Sequence, residues 1–226
     1  MQDSEHTIIE FPYQGGMELV EGISLTCKIR LSRSGKGLLS RMYASKGYAL
    51  DTSLTHLQNR SSLVVQINGQ TMGTLSVGVD NGDFAAGELY PEFINGLRER
   101  GAVICEFGQL AFDPDVRSKR VMGAIFHIAA LVALRLRGAT DIVIEVNPKH
   151  ASFYQRMLGF VQVGSERVCE RVGAPAILLH IEAPTVFAQI KKFGGHPELA
   201  SQERSFYPYF FHPKDEDGLV RRLRGY

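Results

Sequence analysis

One acidic residue stands inside an otherwise apolar stretch, Glu106 within residues 103–112. A carboxylate is costly to bury there unless it is paired or its pKa rises. A carboxylate so perturbed is suited to general-base work. The bland alternatives are an outward-facing strand carboxylate and one locked in an ion pair. Arg117, Lys119 and Arg120 follow the chain-breaking Asp113-Pro114-Asp115, where a long apolar helix begins. Basic side chains on a helix N-terminal turn suit phosphate binding; a solvated loop is the alternative. Asn147, His150 and Tyr154 lie within one short segment that starts at Pro148. Asn147 suits a strand end or a helix N-cap. His150 reads as a contact to an acceptor, as an orienter of Glu106, or as a solvent-exposed first-turn histidine. Arg41 suits bidentate recognition of a carboxylate, or is a surface arginine on a short helix. His127, inside the apolar helix, reads as a core histidine. Cys105 reads as a buried structural thiol.

The elements that must position these residues follow from periodicity. Residues 23–31 alternate apolar and polar, the pattern of a half-buried strand. Residues 37–46 read as a short helix. Residues 62–67 and 71–79 are apolar runs joined at Asn68-Gly69, a strong hairpin signal. An amphipathic helix is predicted over 88–100, stopped by Gly101. A strand over 103–112 carries Glu106, and a long helix over 117–137 follows. A short strand at 141–146 leads into a helix over 148–158, with Pro148 suited to its first turn. Residues 162–168 and 176–181 pair as a last hairpin, and 184–193 form a last helix. The order implies an α/β domain with a mixed sheet, in which the long helix links two parallel strands.

Composition narrows the function class. The chain has 25 basic and 24 acidic side chains, a formal charge of +1. That balance removes the electrostatic footprint of a nucleic-acid-binding protein. Three cysteines without metal-ligand spacing argue against both a disulfide scaffold and a zinc site, and for a reducing cytoplasm. The longest apolar run, 121–134, is shorter than the roughly 20 residues of a membrane span. The polar first ten residues do not resemble a signal peptide. Three segments are expected: an N-terminal extension over 1–16, one domain over 17–183, and a C-terminal helix and tail over 184–226.

Two stretches carry a family resemblance. One is Cys105-Glu106-Phe107-Gly108-Gln109-Leu110-Ala111-Phe112-Asp113-Pro114 with the basic loop behind it. The other is Asn147-Pro148-Lys149-His150-Ala151-Ser152-Phe153-Tyr154, ending in Leu158-Gly159-Phe160. Together they resemble the GNAT acyltransferase superfamily. Within it the second stretch, Gly73-Thr74-Leu75, Asp80, Glu88-Leu89-Tyr90 and Arg41 with Tyr43 are most similar to the long-chain N-acyl amino acid synthases. Those are relatives of the acyl-homoserine lactone autoinducer synthases. The resemblance covers about 23–182. It implies a GNAT-like fold and transfer of a long acyl group from a thioester to an amine. The co-substrate would be an acyl-phosphopantetheine thioester, on acyl carrier protein or coenzyme A, with no tightly bound cofactor and no metal. Carrier protein and an amino acid or related amine are the implied partners. By the same resemblance Glu106 is the base, Tyr154 protonates the leaving thiolate, and Asn147 holds the pantetheine arm; for Tyr154 the alternative is an aromatic ring that packs its helix against the sheet. A backbone amide among Leu110, Ala111 and Phe112 would hold the oxyanion, with the sequence selecting none of the three. Arg117, Lys119 and Arg120 would bind the donor, and Arg41 and His150 the acceptor.

Two departures sharpen the expectation. Acetyl-CoA enzymes of the superfamily carry small residues in the donor loop, where this chain has Arg120 and Met122. Glycine there lets backbone amides close on a pyrophosphate, so its absence favours a donor with one phosphate, as on a carrier protein. Autoinducer synthases usually have Ser and Arg where Gly108 and Gln109 stand, which speaks against lactone formation. An apolar acyl channel is expected between the central strands and the 88–100 or 37–46 helix. The competing readings are a catalytically inactive carrier- or lipid-binding relative and an ordinary acetyl-CoA-dependent acetyltransferase.

Overall fold

The computed structural model describes residues 6–12, 26–32, 60–82, 84–116 and 118–225. Arg41, Arg117 and the helix expected over 37–46 lie outside them. The described strands form one sheet in the order β1-β2-β3-β4-β5-β6-β9-β7, with β8 also paired to β9. They are β1 (His6–Pro12), β2 (Thr26–Ser32), β3 (Arg60–Ile67), β4 (Gln70–Val79), β5 (Ile104–Phe112), β6 (Asp141–Val146), β7 (Val161–Gln162), β8 (Arg167–Cys169) and β9 (Ala174–Glu182). The one parallel pair among them is β5 with β6. Within the segment expected as an extension, His6–Pro12 pairs with β2 at the end of the described sheet, with Ile8 and Phe11 in the core.

Asn68 and Gly69 both take positive φ, 49° and 77°, and close the β3–β4 hairpin tightly. The helix predicted over 88–100 is two, α1 (Ala85–Leu89) and α2 (Pro91–Glu99), because Pro91 cannot continue the first. The long helix α3 runs over Lys119–Ala130 and widens into a π-helical stretch, Leu131–Leu136. Then come α4 (Pro148–Leu158), α5 (Ala183–Phe193) and α6 (Glu216–Arg224). The predicted hairpin after α4 is split between β7 and β8, both on β9.

The sheet has two covered faces, set by the alternation of strand side chains. Cys105, Phe107, Ile142, Ile144 and Leu179 face α3, α4 and α5 in the main core. Ile104, Val143 and Leu178 face α1 and α2, with Phe84, Ala86, Tyr90, Ile94 and Leu97. The tail is part of the main core: Phe206 stacks on Phe126 at 6.0 Å, and the Tyr207 hydroxyl donates to the Leu158 carbonyl at 2.8 Å. Gly123 permits this, since a Cβ there would stand 2.7 Å from Tyr209 Cβ.

Candidate active site

The site begins with a fault in β5. Ser76 pairs with Gly108 and Thr74 with Ala111, so Gln109 and Leu110 together oppose Leu75. Gln109 absorbs the extra residue at φ 51°, a left-handed conformation that is uncommon for a side chain of its size. Two hydroxyls fix the bulge from β4. Thr74 Oγ1 donates to the Gln109 carbonyl and Ser76 Oγ to the Gly108 carbonyl, each at 3.0 Å. Gly73 lacks a side chain where the Phe112 ring must lie; a Cβ would be 2.5 Å from it.

Beyond Phe107 and Ile144 the parallel pairing of β5 and β6 ends. A cavity of about 400 Å³ occupies the split, within the usual size range of small-molecule sites. Gly108–Phe112 line one side, Ile144–Asn147 the other, and His150, Phe153, Tyr154 and Met122 close the α3–α4 end. Ala174, Pro175 and Ala176 of β9 complete the wall. Strand alternation puts Gly108, Glu145 and Ala176 on the α1–α2 face and Ile144 and Val146 on the other. The cavity thus has walls from both faces of the sheet.

Backbone direction sorts the predicted oxyanion donors. The Asp113 amide bonds to the Met72 carbonyl of β4. Alternation then turns the Ala111 amide toward β4 and those of Leu110 and Phe112 toward the split. All three residues line the cavity.

Glu106 does not line it. Its side chain is 3% exposed and both carboxylate oxygens are taken. Oε2 accepts from Arg60 Nη1 at 2.6 Å and Oε1 from the Ala86 amide at 3.0 Å. Arg60 also donates through Nε to Ser76 Oγ, 3.0 Å away. Of the readings open at the sequence level, the ion pair is the one the geometry displays. Cys105 is buried, and burial pushes its thiol up to about 12, so it is no ready nucleophile.

Tyr154 is buried on α4, edge-on to Phe153 at 5.1 Å, and faces the cavity. Asn147 is the N-cap of α4, accepting from the Lys149 amide at 3.1 Å. His150 is exposed at the cavity mouth. Ser118 caps α3 by accepting from the Val121 amide at 3.4 Å. Lys119 is exposed on that first turn, whereas the Arg120 guanidinium lies over the Phe11 ring, 5.0 Å from its centroid. His127 is fully buried as expected and accepts the Phe211 amide at Nδ1, 3.0 Å away.

Sequence reasoning missed Arg60, Glu145 and Arg171. Glu145 carries the same signal as Glu106, a carboxylate inside an apolar strand. Arg171 Nη2 donates to Glu145 Oε2 at 2.6 Å. Burial, against the pull of Arg171, holds the Glu145 carboxyl above its ordinary pKa. The expected acyl channel is not found beneath the 88–100 helices, where Phe84, Tyr90, Ile94 and Leu97 fill the space with their side chains almost wholly buried; the alternative wall, the 37–46 segment, lies outside the described residues. Among the described residues no cluster of His, Cys, Asp and Glu could hold a metal ion, and no described helix is long and apolar enough to cross a membrane.

A parallel strand pair that splits beside a bulge, with a helix N-terminus behind it, gives the chain a GNAT-type fold. Residues 35–182 match the family of the N-acyl amino acid synthase FeeM, and the chain belongs to that family. The solved structure of FeeM, an N-acyl amino acid synthase from uncultured soil microbes, superposes with a TM-score of 0.61 at 24% identity, over 67% of this chain and 85% of that one. The acyl-homoserine lactone synthase LasI superposes with a TM-score of 0.50 at 13% identity, over 70% and 89%. No curated protein matches the chain.

Proposed function

We propose that this N-acyltransferase moves a long-chain fatty acyl group from the phosphopantetheine thioester of an acyl carrier protein to the amine of an amino acid. The observation that carries the reading is the cavity at the β5–β6 split, open to backbone amides on one side and to Tyr154 on the other. It is supported by membership in the synthase family. The free thiols Cys105 and Cys169 fit a cytoplasmic setting.

The reaction needs a neutral amine, a stabilised oxyanion and a protonated leaving group. The amine nitrogen attacks the thioester carbonyl carbon, and the carbonyl electron pair moves to oxygen. The Leu110 and Phe112 amides supply preorganised donors for that oxyanion. Collapse breaks the carbon–sulfur bond, the attacking nitrogen gives up its extra proton to solvent, and the Tyr154 hydroxyl gives the thiolate its proton, recovered afterwards from solvent. Lys119 and the α3 N-terminus attract the donor phosphate, with Arg117 as the further cation of that loop, and Asn147 holds the pantetheine arm. His150 stands at the acceptor's entrance, and Arg41 is assigned to the acceptor from sequence. Glu106 acts through Arg60 and Ser76, holding the bulge rather than touching substrate.

Mass spectrometry of lipid extracts from cells overexpressing the chain tests the reading. N-acyl amino acids with long chains should accumulate, and should be absent with an empty vector. Accumulation of N-acetylated amines alone would contradict it.

A further inference from the structure

The wall of the cavity formed by β6 and β9 holds an ion pair that the reaction outlined above leaves unused. Glu145 lines the cavity with its side chain 13% exposed. Arg171 sits in the turn between β8 and β9, immediately before the cavity residues Val172 and Ala174. Its Nη2 lies 2.6 Å from Glu145 Oε2 and 3.4 Å from Cys169 Sγ, and its Nη1 is 3.3 Å from Glu88 Oε2 on α1.

The turn is held in place independently of that pair. The Tyr90 hydroxyl donates to the Ala176 carbonyl at 2.8 Å, with the Ser165 carbonyl at 3.0 Å. Gly164 passes where a Cβ would be 2.5 Å from the Tyr90 ring. Arg167 donates to the Leu89 carbonyl, pairs with Glu92 and lies over the Tyr90 ring. Arg171 and Glu145 are thus presented by fixed backbones.

We infer that Glu145 and Arg171 are the acceptor subsite, and that it takes a free α-amino acid by pairing Arg171 with the α-carboxylate and Glu145 with the α-ammonium. The inference rests on the amino acid reading under Proposed function and names its recognition. A zwitterion inserted between the two side chains replaces one ion pair by two, so no charge is left uncompensated in a half-buried wall. The planar guanidinium matches a carboxylate through two parallel hydrogen bonds. Glu145 is on the same face of the sheet as Gly108, beside the split where the thioester carbonyl is placed. There it takes one proton from the ammonium and frees the nitrogen lone pair for attack. The second nitrogen proton leaves as the amide forms, one proton goes to the thiolate, and one is released per turnover. An amine without a carboxylate leaves Arg171 unsatisfied, so the subsite selects amino acids over simple amines.

The experiment compares L-amino acids with their decarboxylated amines as acceptors, using dodecanoyl carrier protein and dodecanoyl-CoA as donors. Wild type should favour the amino acid. Arg171→Gln should cut the ratio of kcat/KM between amino acid and decarboxylated amine at least tenfold, chiefly through KM, whatever happens to the absolute rates. Arg171→Lys should restore part of that ratio. Glu145→Gln should lower kcat for both acceptors. Because Arg171→Gln leaves Glu145 without its partner, the double variant with Glu145→Gln is assayed too. If it is folded by circular dichroism, it should show the same lost selectivity in calorimetric binding of the amino acid alone. If wild type acylates amino acids and the ratio survives Arg171→Gln, the subsite is overturned while the amino acid reading stands. If wild type neither acylates nor binds any amino acid, or prefers the decarboxylated amines, both are overturned.

Discussion

Arg60 on β3 reaches across β4 and places Nη1 2.6 Å from Glu106 Oε2 on β5, with both side chains less than a tenth exposed. Glycines clear its path. A Cβ at Gly78 would be 3.3 Å from Arg60 Cγ, and one at Gly108 2.6 Å from Nη2. The guanidinium bonds to Ser76 on β4 and to Glu106 on β5 together. Removing one member of such a pair strands the other charge, at about 3–5 kcal/mol.

The first prediction follows from that pair. Glu106→Gln and Arg60→Met should each lower stability by about 3 kcal/mol, and the double variant by clearly less than the sum. Urea denaturation checks this. Full stability with lost turnover in Glu106→Gln would instead return Glu106 to the role of base.

Tyr154→Phe separates chemistry from packing. The ring remains against Phe153 and only the hydroxyl is lost. As general acid the hydroxyl is worth about 10²-fold in kcat, with donor KM little changed. A near-normal kcat would leave Tyr154 as packing and give thiolate protonation to water.

The basic turn of α3 divides into two behaviours. Lys119→Ala should raise the donor KM several-fold at low salt, and the effect should fade as salt is added. Arg120→Ala should act mainly on stability, by about 0.5–1 kcal/mol, because its guanidinium rests on Phe11. Donor KM over a salt series, together with thermal melts, distinguishes them.

His127 gives the fold a pH dependence. Nδ1 accepts the Phe211 amide, so the neutral ring carries its proton on Nε2 and donates to Glu216 Oε1 at 3.2 Å. Burial holds its pKa below the ordinary value even with Glu216 adjacent. The unfolded chain therefore takes up a proton near pH 6.5 that the folded chain refuses. The associated stability is present above that pH and is lost as pH falls toward the folded pKa. Denaturation between pH 7 and 5 should show a shallower loss in His127→Gln than in wild type. An unchanged slope would mean that His127 does not govern it.

Much of the fold was legible where the signal is local. Asn68-Gly69 fixed a hairpin, Pro148 and Gly159 bounded α4, and the apolar 141–146 run became β6. Pro91 was equally local and should have divided the 88–100 helix. The edge strand at His6–Pro12 is hard to read because the adjacent Ile8 and Ile9 break the strict alternation of a half-buried strand, and the ladder is irregular at that point. The site was legible in part. Tyr154, Asn147, His150 and Leu110 to Phe112 converge on one cavity. Glu106 was singled out correctly as anomalous, but its partner is 46 residues away and is brought near only by strand register. The positive φ of Gln109 comes from the bulge and leaves no trace in composition. Glu145 acquires its meaning from Arg171, 26 residues on, through the β8–β9 turn.

The most direct test of the central claim is the specificity constant of the purified protein for acyl carrier protein thioesters of increasing chain length, measured beside acetyl-CoA with an amino acid acceptor. Each buried methylene contributes about 0.8 kcal/mol, so kcat/KM should climb steeply from acetyl to long-chain acyl, with the carrier-protein donors above acetyl-CoA. A flat profile across chain length, or acetyl-CoA turned over as well as the long-chain carrier protein, would contradict the account.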